Sequence, residues 1–410
     1  MSISVVFAGG LPQRGELQSQ FMGYARRLPP DVRAEGLFFV PADCEAAAVA
    51  EGAFEPYHRC GVPVHILPLR SRISLRSILA CYRRLRDISP HIVHAQHAIP
   101  TIHCRLAGLL YRLFTRRRLV VITEHRNAPR NLSRPARLLQ RLTEPAATLV
   151  LCSSTGVERA YYGSAELLDP ARFVPGYRRH YTFHNSIDTS LLATPEATST
   201  RPALRAELGL SDGDVLLICV ARFVPQKAHD DLLRALALLD NPGAHLALVG
   251  EGPLEPQLRT LADELGLSAR VSFLGPRRDV PALLAAADLF VLASRWEGLS
   301  KALLEALAAG LPCVATAVEG TEEVISHGTE GLLVPPDHPR ELATAVASLI
   351  ADPSMRARMS HAARARAARF SIDHQAGALW TLYRALTRDV RSGTSAPTPD
   401  TVERSTPCAE

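Results

Sequence analysis

The 410-residue sequence predicts an α/β protein built from two doubly wound parallel sheets that face each other across a cleft. Three observations carry that reading. Short apolar or β-branched runs alternate with helical patterns, as βα units require. The alternation runs twice, with the Pro- and Thr-rich segment Thr194–Pro202 between the two series. In the second series a buried strand, Asp288–Ser294, leads into a glycine-containing loop and an apolar helix that carry two carboxylates, Glu297 and Glu305. In open α/β sheets, ligands bind beyond the carboxyl ends of the strands, where helix N-termini direct free N–H groups.

In the first half, Ile3–Ala8 reads as an apolar strand, followed by Gly9-Gly10 and a helix near Leu17–Leu28. Leu37–Val40 and Val64–Leu67 follow as strands, and Ser74–Arg86 as an arginine-studded helix. His91–Ala95, Leu119–Thr123 and Thr148–Cys152 are further strands, each followed by helical sequence. The cycle restarts with strands at Val215–Val220, His245–Val249, Val271–Leu274, Leu289–Leu292 and Val314–Ala317. Helices over Asp230–Leu239, Glu255–Leu265, Val280–Ala286 and Leu299–Ala309 alternate with them. Two last helices, Pro353–Arg369 and Ser371–Arg388, end the fold. The expected division is a first Rossmann-like domain over 1–190 and a second over 191–370. A C-terminal helix over 371–390 would return toward the first domain, and the Ser/Thr/Pro-rich residues 391–410 read as a disordered tail.

With 47% apolar and 21% charged residues, the chain has the composition of a globular protein large enough for two domains. No run of about 18 apolar residues and no signal-peptide pattern occurs, so the cytoplasm is the expected compartment. The eight cysteines show no CxxC spacing and read as reduced thiols. Charge is divided: residues 1–183 carry 25 Arg against 13 acids, and the remainder 21 basic residues against 28 acids. The division points either to different partners for the two halves, with an anionic membrane surface or a phosphorylated acceptor for the basic one, or to an arginine-rich solvated surface with no such partner; no nucleic acid is expected. Only two lysines occur, Lys227 and Lys301, among 46 basic residues.

Some patterns carry less than they suggest. His91, His94 and His97 are three apart, but no acidic or cysteine partner completes a metal set, and no metal is expected. Asp212-Gly-Asp214 precedes a strand instead of ending one, so it reads as a turn. No Gly-x4-Gly-Lys-Ser/Thr phosphate loop occurs.

Four segments resemble, in the family's order, the GT-B retaining glycosyltransferases of family 4. His184-Asn185-Ser186-Ile187-Asp188 is similar to the family's domain-junction segment, Val220-Ala-Arg222 with Lys227 to its Gly-Arg-x4-Lys, Gly250-Glu-Gly252-Pro to its glycine turn, and Glu297-x7-Glu305 to its paired glutamates. The likeness in layout covers nearly the whole chain and is most specific from His184 to Pro335. It implies a GT-B fold and transfer of a sugar, with retention, from a nucleoside-diphosphate donor on the second domain to a glycan, lipid-linked or small-molecule acceptor on the first. No cofactor or metal is then expected.

The residue chemistry agrees with that implication. The departing diphosphate gains negative charge, which Arg222 and Lys227, five residues apart in the loop after Val215–Val220, would hold. The resemblance assigns Glu305 to the ribose hydroxyls and faces Glu297 toward the donor sugar, with N–H groups of Gly298, Leu299 and Ser300 beside it. Gly252 and Arg277 would lie by the donor and its base. In the first half, Gly10 and Gly15 bound a loop suited to close backbone approach. His125, after an apolar strand, resembles the family's histidine that reaches the donor sugar, and Ser153 is a weaker candidate. Serine at 186 departs from the family's glycine and would be strained if φ were positive there. A nucleotide-sugar epimerase, a sugar phosphorylase or a nucleotide-sugar-binding partner subunit without turnover remain alternatives of the same layout.

Overall fold

The computed structural model describes residues 2–10, 20–45, 52–69, 71, 73–126, 128–192 and 199–392. Gly15 and tail residues 393–410 lie outside them. Seven parallel strands form the first sheet: β1 (Ile3–Gly10), β2 (Val32–Pro41), β3 (Val64–Leu69), β4 (Ile92–Ala95), β5 (Val120–His125), β6 (Leu149–Cys152) and β7 (His180–Thr182), in the order β3-β2-β1-β4-β5-β6-β7. Six form the second: β8 (Val215–Val220), β9 (Ala244–Val249), β10 (Val271–Gly275), β11 (Leu289–Leu292), β12 (Cys313–Thr316) and β13 (Gly331–Val334), ordered β10-β9-β8-β11-β12-β13.

Both sheets are doubly wound, and that fixes where a ligand can lie. Strand order reverses at β1/β4 in the first sheet and at β8/β11 in the second. At such a switch point the two flanking loops diverge to opposite faces and leave a crevice beyond the strand ends. The loop after β8 carries Arg222 and Lys227, and the loop after β11 carries Glu297. Parallel strands buried on both faces also explain why β5, β11 and β12 are continuous buried runs.

The elements differ from the sequence reading chiefly where short strands carry weak patterns. Strand β2 begins five residues before Leu37, at Val32, because residues 32–36 continue the pairing with β1, and Gly36 also starts the pairing with β3. Strands β7 and β13 and the Pro339–Ala351 helix have no counterpart in it. The last helix, Ile372–Ser392, crosses to the first sheet, where Leu379, Trp380, Leu382 and Tyr383 join the core built on Phe7, Phe21 and Tyr24. Its start is tied down by Arg27, which holds Asp188 of the junction and Asp373 together.

Candidate active site

The second-domain crevice is built by backbone stitching of two loops. Arg295 N–H donates to the Gln226 carbonyl at 2.8 Å, and Gln226 Nε2 donates to the Trp296 carbonyl at 2.8 Å. The Arg295 guanidinium adds a 2.8 Å bond to the Pro225 carbonyl and pairs with Asp230, Asp231 and Asp337. These bonds hold the short helical turn Pro225–Lys227 against the exit of β11. Lys227 Nζ consequently reaches Glu297 Oε1, which also accepts from Ser294 Oγ at 2.6 Å. The Glu297 side chain is nearly closed off from solvent, so the ammonium is its charge partner in a low-dielectric spot. Arg222 is exposed on the same loop as Lys227.

Glycine permits the packing around this crevice. A Cβ on Gly250 would lie 3.0 Å from the Ala221 carbonyl carbon, and one on Gly252 would lie 2.7 Å from the Phe223 nitrogen. The turn after β9 therefore rests backbone to backbone on the Arg222 loop, and Gly252 holds that loop up. Next to Lys227, His229 is buried against Phe223, with ring centroids 4.9 Å apart. Burial, then the charge of Lys227, lowers its pKa to about 4. The unfolded imidazole takes up a proton near its ordinary value, about 6.5, and the folded one resists until about 4, so stability falls as pH drops through that window. Denaturant unfolding of wild type should lose up to about 3 kcal/mol across it beyond what His229→Leu loses. Parallel pH slopes for the two proteins would show that His229 is not the group responsible.

Glu305 sits half-buried on the Lys301–Ala309 helix and lines a neighbouring cleft with Lys301, Ser186, Asp188, Val280 and Pro281. The helix is capped by Ser300, whose hydroxyl accepts from Leu303 N–H at 3.4 Å. Leu299 offers its carbonyl to Asn185 Nδ2 at 3.0 Å, which ties the junction to the helix start. Ser186 is not among the described residues with positive φ, so serine is unstrained there. Arg277 turns to Asp279 at 2.7 Å and Glu207 at 3.1 Å, and so is held among acids of its own domain.

The first domain presents the exit of β5 to this site. A Cβ on Gly298 would lie 3.5 Å from the Arg126 carbonyl carbon and 3.4 Å from Ser153 Oγ, so the Glu297 loop rests directly on that exit. The Arg126 guanidinium holds Gln20 and lies 3.2 Å from Glu124, which is 2.9 Å from His94. Burial would raise the Glu124 pKa, but the charge of Arg126 and the His94 bond outweigh it and bring it to about 2. His125 faces away from that cluster, as the next residue on a strand must. Its ring stacks on Tyr161 at 4.0 Å and approaches Glu144 at 3.5 Å, and burial lowers its pKa. Gly10 lies at the β1/β4 switch point, 3.5 Å from His97 Nδ1. The three spaced histidines have separate partners: His91 accepts from Ser4 N–H, and His94 meets Tyr383.

The structure thus brings Lys227, Glu297 and Gly298 into one place with Arg126 and Ser153, and sets Glu305 in the adjoining cleft. It keeps Arg277 and His125 in other contacts. Sequence reading missed Ser294, Arg126 and Glu323. Glu323 reaches from the second domain to accept from Thr155 and Gly156 N–H at the start of a first-domain helix, and from His184. It closes the short Glu319–Glu322 helix, where no local pattern sets it apart from the other glutamates. Only its partners across the cleft do.

Residues 200–366 match the family model described as glycosyl transferases group 1, and residues 37–165 match the model for glycosyltransferase family 4. The alpha-D-kanosaminyltransferase of Streptomyces kanamyceticus is 31% identical over 264 residues, covering 62% of this chain and 67% of that protein. The D-inositol 3-phosphate glycosyltransferase of Mycobacterium avium (strain 104) is 41% identical over 197 residues, so the match spans about half of either protein, 46% of each. The solved structure of Anabaena Alr3699/HepE in complex with UDP and glucose shares the fold, with a TM-score of 0.74 at 22% identity over 95% of this chain and 100% of that one. With both halves matched by family models in the order that the two sheets occupy, the chain belongs to the GT-B glycosyltransferases of family 4.

Proposed function

We propose that the chain transfers a sugar, with retention of configuration, from a nucleoside-diphosphate donor on the second domain to an acceptor hydroxyl presented by the first. The observation that carries this reading is the convergence at the β8/β11 switch point of Lys227 and Glu297, with Arg222 on the same loop. Arg222 and Lys227 supply the positive charge that the leaving diphosphate needs, from side chains that require no resident cofactor or metal. Lys227 is shared: as phosphate charge grows, its ammonium turns from Glu297 toward the phosphate, and Glu297 is released to accept from a sugar hydroxyl. Glu305 takes the ribose hydroxyls in the adjoining cleft, where Val280 and Pro281 offer an apolar floor to the base. The acceptor oxygen forms its bond to the anomeric carbon as the carbon–oxygen bond to phosphate breaks. The acceptor proton passes to the departing phosphate oxygen on the same face. The complex of Alr3699/HepE with UDP and glucose supports a nucleoside-diphosphate sugar as donor class.

A thermal-shift screen with UDP-, GDP- and ADP-sugars tests the reading. One donor should stabilise the protein, and Glu305→Ala should weaken that donor about tenfold through loss of charge-assisted hydrogen bonds. Labelled donor incubated without acceptor should stay unconverted; conversion to another sugar would favour an epimerase. Failure of every donor to shift the melting temperature would sink the proposal.

A further inference from the structure

We propose that one flank of the first domain is a docking face for an anionic lipid surface. The inference stands on exposure and charge alone and does not rest on the proposed activity. The Ala98–Thr115 helix is apolar on both of its faces. Its inner face, including Ile102, Cys104, Ala107 and Tyr111, is buried on the sheet. Leu106, Leu109, Leu110, Leu113 and Phe114 recur at i, i+3, i+4, i+7 and i+8 as a second stripe, in which Leu106 and Leu110 are half-buried, Leu109, Leu113 and Phe114 are exposed, and Phe114 meets Tyr82 edge-on at 6.1 Å. Leu109 is 50% exposed, and Leu113 and Phe114 are each 67% exposed. A helix that is apolar all round is normally covered on all sides, so an uncovered stripe calls for a partner.

The neighbouring helix extends the same surface. Arg105 and Arg112, seven residues apart on the first helix, donate to the carbonyls of Gln140 at 3.1 Å and Ala146 at 2.6 Å. They hold the Arg134–Thr143 helix and the Glu144–Ala146 turn that follows it alongside the first helix. That helix exposes Leu138 (60%) and Leu142 (68%) between exposed Arg134, Arg137 and Arg141. Exposed Arg116, Arg117 and Arg118 follow Phe114 at the end of the first helix. From Ser74 to Thr143 the sequence carries 14 arginines and two acids, and one of those acids, Glu124, is buried.

Apolar side chains ringed by arginine match a surface that is anionic at its headgroups and apolar just beneath them. A second copy of the chain is a poor occupant, because a two-fold contact would set this arginine field against itself. No helix among the described residues is long and apolar enough to cross a membrane, so the contact proposed is one of lying on the surface. Arg116, Arg117 and Arg118 directly precede the start of β5, Val120, so the arginine cluster lies at the opposite end of that strand from the exit that faces the cleft.

The test is sedimentation of the full chain with vesicles of phosphatidylcholine containing about 30% phosphatidylglycerol, against phosphatidylcholine alone. Wild type should pellet with the anionic vesicles at low salt, release at high salt, and stay in solution with neutral ones. Leu113→Ser with Phe114→Ser should cut the bound fraction at least about tenfold while leaving the melting temperature and nucleotide binding unchanged. Arg116→Glu, Arg117→Glu and Arg118→Glu together should abolish pelleting. Three results would overturn the proposal: wild type left in the supernatant, variants that pellet like wild type, or concentration-dependent dimers that the Leu113/Phe114 variant loses without any vesicle binding. Because nucleotide binding is read separately, a failure here leaves the donor-site reading untouched, and the reverse also holds.

Discussion

Lys227→Ala should lower turnover by about 100- to 1000-fold, the scale on which a preorganised electrostatic partner of a developing anion acts. Two effects combine in that variant, and they can be separated. The first is loss of the cation that serves the leaving diphosphate. The second is structural: Glu297 would be left nearly buried with Ser294 as its remaining hydrogen-bond donor in this site. Breaking a buried pair on one side costs about 3–5 kcal/mol unless the stranded carboxylate takes up a proton. The double variant Lys227→Ala/Glu297→Gln removes the stranded charge while keeping an acceptor for Ser294. Its stability should recover toward wild type and its turnover should not. A double variant that regains turnover would place the role of Lys227 in folding alone. A Lys227→Ala enzyme within about threefold of wild type would remove it from the phosphate site altogether.

Much of this site was legible in the sequence because the loops that build it follow strongly patterned strands. Val215–Val220 and Leu289–Leu292 are uninterrupted apolar runs, and their bounds in the structure are the same. Once two parallel series are recognised, the residues that follow such strands are the ones that can meet a ligand. The direct contact of Lys227 with Glu297 was not legible, since the sequence reading set the cation on the diphosphate and the glutamate on the sugar. It follows from strand order: β8 and β11 are neighbours, a fact that exists only in the folded sheet. The partners of Arg277 were not legible either: its position after β10 marks it for the base, and its guanidinium pairs with acids two residues on and across on the Arg201–Glu207 helix. Strand β7 escaped because three residues carry too little periodicity to stand apart from a loop, and β13 because it opens on Gly331 and leaves only three apolar residues as a pattern. The outward stripe of the Ala98–Thr115 helix escaped for a different reason: apolar content says that a residue wants cover, and only the fold says which face goes without it.

Gly320→Ala should disturb the site far more than a single added methyl group ordinarily does. Its Cβ would lie 2.6 Å from the Gly298 carbonyl carbon and 3.2 Å from the Glu297 carbonyl oxygen, with no flexible side chain to give way. The Gly298 backbone has no slack either, because its far side rests on the Arg126 carbonyl of the first domain. Gly320, Gly298 and Arg126 therefore form a stack of three main-chain segments across the cleft. A methyl group at one end must push the Glu297 loop away from Ser294 and Lys227 or spread the domains. Overpacking of this kind costs about 1–3 kcal/mol, and misplacement by about 1 Å can cost some 100-fold in rate. The expected result is a modest loss of melting temperature and a large loss of turnover. Gly377→Ala is the matched control: it lies exposed in the Ile372–Ser392 helix with nothing near its Cβ position, and should gain up to about 1 kcal/mol from helix propensity. If Gly320→Ala retains wild-type turnover, the Glu297 loop is not held by this stack, and the close approach of the two domains has no part in assembling the site.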